Sequence, residues 1–103
     1  MDLFTVQVKN RLAQIGPQNK VYLKSNYEYE LFSRHNILDD EINLLFDPKK
    51  IQRIYPNIAF EERIDVEINI SKKRLIKVII QFDPFVNGVK QEGKVGIVTA
   101  FVL

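Results

Sequence analysis

The chain has 103 residues, of which 46% are apolar, and its formal net charge is +2. At this length we expect one domain with a buried core. The lack of cysteine excludes a disulfide framework and a thiolate metal site. The N-terminal residues do not form a signal peptide, and every apolar run is far below the ~20 residues of a membrane-spanning helix. We therefore expect a cytoplasmic protein with a single domain over residues 1–103.

Charge is distributed unevenly along the chain. Basic residues predominate in 1–27 and 71–103, whereas acidic residues predominate in 28–47. A basic surface at either end of the chain would favour a polyanion such as RNA through contacts to phosphate. An ordinary surface of mixed charge is the alternative interpretation.

Three helices are predicted in the first half of the chain. Apolar residues at helical spacing indicate a helix over about 2–15 with Asp2 near its N-cap, and Gly16-Pro17 ends it. A second helix is predicted over about 26–35, with Leu31 and Phe32 facing inward and Asn36 as a left-handed residue after its end. A third, over about 39–46, has Asp39 or Asp40 as its cap.

The second half of the chain has the alternating pattern of strands. Strands are predicted over about 62–70, 74–83 and 94–102, with a further edge strand at 50–56. Residues 20–25 are predicted to form either a short strand or an extended segment that leads into the second helix. In the strand over about 62–70, Ile64 and Val66 face the core while Asp65 and Glu67 face solvent. Helices followed by strands with short connections indicate an α+β domain, with the helices packed on one face of a small, mainly antiparallel sheet.

The composition does not favour binding of a metal or another cofactor. One histidine and no cysteine make a catalytic metal site unfavourable, and the four glycines are scattered rather than gathered in a phosphate loop. We therefore expect neither a metal nor another cofactor. Cleavage of RNA needs neither, because a base, a cation and an acid suffice.

Candidates for these roles are few. His35 and Glu62 are the acid or base candidates, and Arg34 and Arg63 are the cations; the basic residues expected to contact RNA are Lys24, Lys72, Lys73 and Arg74. A structural alternative applies to each catalytic candidate. A histidine near a helix C-terminus interacts favourably with the helix dipole, and Glu62-Arg63 at a strand start is commonly a solvated pair.

Several short motifs follow one another in an order that resembles a known group. They are "RHNILDDEI" from Arg34, "LLFDP", "EER" at 61–63, "RLIKVII" and "GIVTAF" with Thr99-Ala100. Over about 24–103 the sequence resembles the small toxins of the RelE superfamily, nearest the BrnT-like branch and its uncharacterised relatives. The resemblance implies a RelE-like fold, RNA cleavage and a protein antitoxin, with Arg34, His35, Glu62 and Arg63 as site residues. Phe101 stands where that branch usually has a basic residue.

Three functions remain open from the sequence. The first is an RNA-cleaving toxin neutralised by a protein partner. The second is a non-catalytic protein of the same fold, such as an inhibitor or immunity-type protein that binds another protein. The third is an RNA-binding module without cleavage. Exposed sheet edges also make a homodimer compatible with the pattern.

Overall fold

The computed structural model describes residues 2–24 and 27–103. Helix α1 (Leu3–Ile15) is followed by a 3₁₀ turn (Pro17–Asn19) and the short strand β1 (Lys20–Tyr22). Helix α2 spans Tyr27–His35; position 26, the predicted start of this helix, lies outside the described residues. Within these residues, no helix is long and apolar enough to span a membrane.

The N-terminus of α1 and the C-terminus of α2 are formed by the residues that the sequence predicts for them. Asp2 caps α1, since its carboxylate accepts a hydrogen bond from the Thr5 backbone N–H at 2.7 Å. Asn36 has φ 54° and ends α2, and the Ile37 N–H donates to the Leu31 carbonyl across the turn. Both features are confirmed predictions.

The third predicted helix is divided into two kinds of helix. Helix α3 covers only Asp39–Ile42, and a 3₁₀ helix over Asn43–Phe46 continues it. The prediction that Asp39 or Asp40 caps α3 is wrong. Leu38 is the N-cap residue, and its backbone N–H donates to Glu41 Oε1 at 3.0 Å, so both aspartates lie inside the first turn.

Five strands form the main sheet in the order β1-β7-β4-β3-β2. A 3₁₀ turn (Pro48–Lys50) leads into β2 (Ile51–Pro56), which lies at the predicted edge; β3 (Ile64–Ser71), β4 (Arg74–Phe82) and β7 (Val95–Val102) follow. All neighbours pair antiparallel except β1 and β7, which are parallel. A separate hairpin of β5 (Phe85–Val86) and β6 (Val89–Lys90) lies in the connection to β7. The fold is the predicted α+β domain.

One face of the sheet forms the core with the helices. The register places Val66, Val78 and Ala100 side by side on this face, and all three are fully buried. Leu12 from α1, Leu31 from α2 and the other buried apolar residues complete the core. Phe32, which was also predicted to face inward, is 53% exposed; it follows Leu31 by about 100° around the helix and so faces solvent.

Candidate functional site

Arg34 and His35 lie in the last turn of α2, and both are exposed. The residue after them is anchored to the sheet, because Arg74 Nη2 donates to the Asn36 carbonyl at 2.7 Å. Arg74 begins β4. The Arg34–His35 pair therefore lies near the end of the sheet at which β3 turns into β4.

Glu62 and Arg63 lie in the turn that precedes β3. Glu62 is exposed, whereas the Arg63 guanidinium lies 4.0 Å from the centre of the Phe60 ring and its buried Nε has no hydrogen-bond partner. Ile64, the next residue, pairs with Ile80 of β4.

The register separates these two pairs of predicted site residues. Ile80 lies six residues along β4 from Arg74, which corresponds to roughly 20 Å of extended strand. The structure therefore does not bring Arg34 and His35 together with Glu62 and Arg63. Their individual roles stay predictions, but one shared site for the four side chains does not form.

The predicted RNA contacts also differ in their surroundings. Lys24 pairs with Glu30 at 3.3 Å. Arg74 forms two hydrogen bonds with the Glu41 carboxylate, at 2.7 and 3.1 Å, besides its bond to Asn36. Lys72 and Lys73 occupy the β3–β4 turn and are exposed. The turn lysines are thus available to an anion, whereas Arg74 joins β4 to the helices.

The face of the sheet opposite the core carries charged and aromatic side chains. Alternation along the strands places Tyr55 beside Asp65, and Glu67 beside Lys77, which in turn pairs with Phe101. We call this side the open face, and we call Tyr55, Asp65, Glu67 and Lys77 the acid–tyrosine cluster. The cluster draws on three adjacent strands.

Both carboxylates of the cluster are buried, which the sequence did not predict. Asp65 is 6% exposed and Glu67 is 7% exposed. Burying a charge is unfavourable unless a partner compensates it. Asn57 Nδ2 donates to Asp65 Oδ1 at 2.8 Å, and Lys77 Nζ lies 3.7 Å from Asp65 Oδ2. Both oxygens of Asp65 therefore have partners.

Glu67 is held in a different way. The Tyr55 hydroxyl donates a hydrogen bond to Glu67 Oε2 at 2.9 Å. No side chain in the described part of the chain donates a hydrogen bond to the other oxygen, Oε1. One oxygen of this carboxylate therefore has no side-chain partner among the described residues, although the residue as a whole is only 7% exposed.

Lys77 supplies a fixed positive charge to the open face. Its Nζ lies 4.9 Å from the centre of the Tyr55 ring and 5.8 Å from that of Phe101. The Tyr55 hydroxyl, followed by the charges of Asp65 and Glu67, raises the pKa of Lys77 above its usual value. Lys77 thus stays protonated at neutral pH and acts as a cation rather than as a base.

Arg53 extends this arrangement toward the edge of the sheet. It pairs in register with Glu67, is exposed, and its guanidinium lies 5.2 Å from the centre of the Tyr55 ring. The open face therefore combines one half-satisfied carboxylate, one phenol and two cations. These are the groups that acid–base chemistry on a phosphodiester requires.

Thr99 lies on β7 and is hydrogen-bonded to the Tyr27 hydroxyl of α2. This contact fixes α2 against β7, so Thr99 has a structural role in holding the helix. Among residues 2–24 and 27–103, no group of three or more histidine, aspartate or glutamate side chains is placed to hold a metal ion.

Comparison of the chain with protein-family models, with curated proteins and with solved structures finds no match. The candidate site therefore stands on its own geometry. Sequence reasoning missed Tyr55, Asp65, Glu67 and Lys77 as a group. The alternation in β3 placed both acids on one side, but only the register of β2 and β4 places a phenol and an ammonium beside them.

Proposed function

We propose that this protein is a metal-independent endoribonuclease of the cytoplasm, with the open face as its active site. The observation that carries the proposal is the position of Glu67, which is buried, bonded on one oxygen by Tyr55 and flanked by Lys77 and Arg53. The resemblance to RNA-cleaving toxins agrees with this function, but the proposed residues differ from those that the resemblance implied.

In the proposed reaction, the Glu67 carboxylate takes the proton of the ribose 2′-hydroxyl. The 2′-oxygen attacks phosphorus while the bond from phosphorus to the 5′-oxygen breaks. Lys77 and Arg53 stabilise the charge on the phosphoryl oxygens. Tyr55 donates its proton to the leaving 5′-oxygen, and the resulting phenolate then takes up the proton that the neighbouring Glu67 carboxyl gained from the 2′-hydroxyl. The products are a 2′,3′-cyclic phosphate and a 5′-hydroxyl.

RNA binding without cleavage is a second candidate for the same face. It is favoured because the polar groups of the cluster already bind one another. Asp65 has a partner on each oxygen, and Glu67 accepts a hydrogen bond from Tyr55. In that case the rings of Tyr55 and Phe101 stack with bases while Lys77 and Arg53 contact phosphates. The carboxylates then serve only to hold the cations in place.

A protein partner such as an antitoxin remains part of the proposal. Four apolar side chains are exposed in the segments that precede β3 and follow β4, at the end of the sheet away from the β3–β4 turn; they are Ile58, Phe60, Phe85 and Val89. Exposed apolar residues of this kind support contact with another protein. A homodimer stays a prediction.

The proposal is tested with purified protein, a labelled single-stranded RNA and a metal chelator in the buffer. We expect fragments that end in a 2′,3′-cyclic phosphate. Replacement of Glu67→Gln keeps the shape of the side chain and an acceptor for Tyr55, and should lower the cleavage rate by about 10²- to 10⁴-fold if Glu67 is the base. Asp65→Asn neutralises the other buried carboxylate of the cluster, which takes up no proton in the reaction, and should lower the rate less than Glu67→Gln does. Thermal melting checks that each variant is folded.

The same assay separates the open face from the site predicted by sequence. The open-face mechanism leaves cleavage unchanged in His35→Gln and Glu62→Gln, because neither side chain takes part in it and both are exposed. Loss of cleavage in these variants, with full activity in Glu67→Gln, would contradict the mechanism. RNA binding by a wild-type protein that produces no fragments would favour the non-catalytic candidate.

A further inference from the structure

Beside the acid–tyrosine cluster, toward the β3–β4 turn, lies a cleft. Its volume is about 320 Å³, and it is lined by Lys49, Lys50, Asn69, Ser71 and Lys72. We call it the lysine cleft. We propose that the lysine cleft binds a phosphate group of the RNA strand whose cleavage is proposed above. The choice of RNA as ligand rests on that proposed function, whereas the anion site itself rests on the cleft.

The charge of the cleft is not neutralised by the protein. Three of the five lining residues are lysines and none is acidic. Lys20, Lys24 and Lys77 all have acidic partners within 4 Å, but no ion pair involves Lys49, Lys50 or Lys72 among the residues described. The nearby Asp47 carboxylate is bound to the Lys49 backbone N–H at 3.0 Å and caps the 3₁₀ turn.

Local structure brings the three lysines together. Lys49 and Lys50 end the 3₁₀ turn that leads into β2, and Ile51 pairs with Ile68 of β3. Lys72 follows Ser71, the last residue of β3, and so lies at the same end of this strand. Like charges thus line one cleft with no acidic partner among the described residues, which costs free energy unless an anion is present. A phosphate would remove this repulsion.

The polar residues of the cleft suit a phosphate as well. The Asn69 amide carries N–H donors, and Asn69 is exposed. The Ser71 hydroxyl oxygen accepts the Lys73 backbone N–H at 3.4 Å, so its own O–H is available to donate. Lysine ammonium groups serve as point charges for phosphate, and neutral donors fix its orientation.

The position of the cleft relates it to the proposed reaction. Asn69 follows Glu67 by two residues on the same face of β3, a separation of about 7 Å. A phosphate in the cleft is therefore a neighbour, along the strand, of a phosphodiester placed at Glu67. The aromatic rings of Tyr55 and Phe101 on the same face favour a single-stranded nucleic acid over another polyanion.

Binding can be measured apart from cleavage with a fluorescent 2′-O-methyl RNA oligonucleotide, which lacks the nucleophile. Affinity is recorded by anisotropy across a series of salt concentrations. Each phosphate contact to a single strand contributes about 0.7 to the slope of log affinity against log salt. We expect the slope to fall by about 0.7 in the triple variant Lys49→Ala, Lys50→Ala, Lys72→Ala, which removes the one phosphate contact, and by part of this amount in each single variant.

Lys90→Ala is the matched control, because Lys90 is exposed in β6 at the other end of the sheet. It should keep the wild-type slope. Thermal melting shows whether the triple variant is folded, and the single variants provide the same test at lower risk to the fold. A wild-type slope in folded lysine variants would overturn the lysine cleft as a phosphate site.

The two proposals fail in distinguishable ways. If the lysine variants lower the slope but the wild type does not cleave RNA, the cleft stands and the endoribonuclease proposal fails. If Glu67→Gln abolishes cleavage while the lysine variants bind with an unchanged slope, the endoribonuclease stands and the cleft fails.

Discussion

Arg74 offers a sharp test of the structural role that its contacts indicate. It was predicted to contact RNA, but its guanidinium forms two hydrogen bonds with Glu41 and one with the Asn36 carbonyl. The Arg74 side chain is 27% exposed and the Glu41 side chain is 16% exposed. We expect Arg74→Ala to destabilise the fold by separating β4 from α2 and α3.

The size of the effect follows from these contacts. Hydrogen bonds to charged groups contribute about 1.5–3 kcal/mol each, and bonds that share one guanidinium do not add in full. We therefore expect a loss of about 2–3 kcal/mol in the free energy of unfolding. For a domain of this size that lowers Tm by on the order of 10 °C. Arg74→Lys keeps the positive charge but not the two parallel hydrogen bonds, so its Tm should lie between those of the wild type and Arg74→Ala.

The effect should also depend on pH. The Arg74 hydrogen bond, followed by the bond from the Leu38 backbone, lowers the pKa of Glu41. The resulting stability is fully present above the unfolded-state pKa of about 4.3 and is lost as pH falls through the lower folded-state pKa. The wild type and Arg74→Ala should thus differ most at neutral pH and approach each other in acid.

The assay is urea denaturation of both proteins from pH 7 to pH 3. Lys73→Ala is the control, because this neighbouring residue is exposed and its substitution should change stability by less than about 0.5 kcal/mol. If Arg74→Ala were as stable as the wild type at pH 7, or if the difference stayed constant down to pH 3, the structural role of the Arg74–Glu41 pair would be refuted.

Two further substitutions test the backbone of the fold. Asn36→Ala should destabilise by about 1 kcal/mol because Asn36 has φ 54°, whereas Asn36→Gly should be close to neutral; thermal melting of the pair checks this. Gly96→Ala places a Cβ 2.8 Å from Leu23 Cδ2 and 3.0 Å from Pro84 Cβ, so β7 or its neighbours must shift. We expect a lower denaturation midpoint, and an unchanged midpoint would show that the β7 packing yields easily.

The elements that the sequence predicted well depend on local rules. The cap at Asp2, the left-handed Asn36 and the alternating strands each follow from residues a few positions apart. Phe32 shows where such rules fail. Helix α2 has only nine residues, and the buried side chains of Tyr27 and Leu31 form one narrow stripe along it. The spacing of apolar residues over so short a helix did not show that Phe32 lies outside this stripe.

The candidate site depends on pairing between distant residues, which local rules do not give. Asp65 and Glu67 alternate with apolar residues, so the sequence predicted a solvated side of β3. Their burial results from Tyr55 on one neighbouring strand and Lys77 on the other. A shift of either strand by one residue would turn these partners to the core face. The cluster is therefore a consequence of register rather than of any motif.

Phe101 illustrates the same point for a single charge. The resemblance to the toxin branch placed a cation at this position, and an aromatic residue there argues against catalysis when the sequence is considered alone. In the sheet, Phe101 pairs with Lys77, and the ammonium lies 5.8 Å from the centre of its ring. A positive charge thus stands beside β7 although β7 does not carry it. Since a phosphate responds to where a charge lies and not to which strand supplies it, Phe101 does not argue against the proposed reaction.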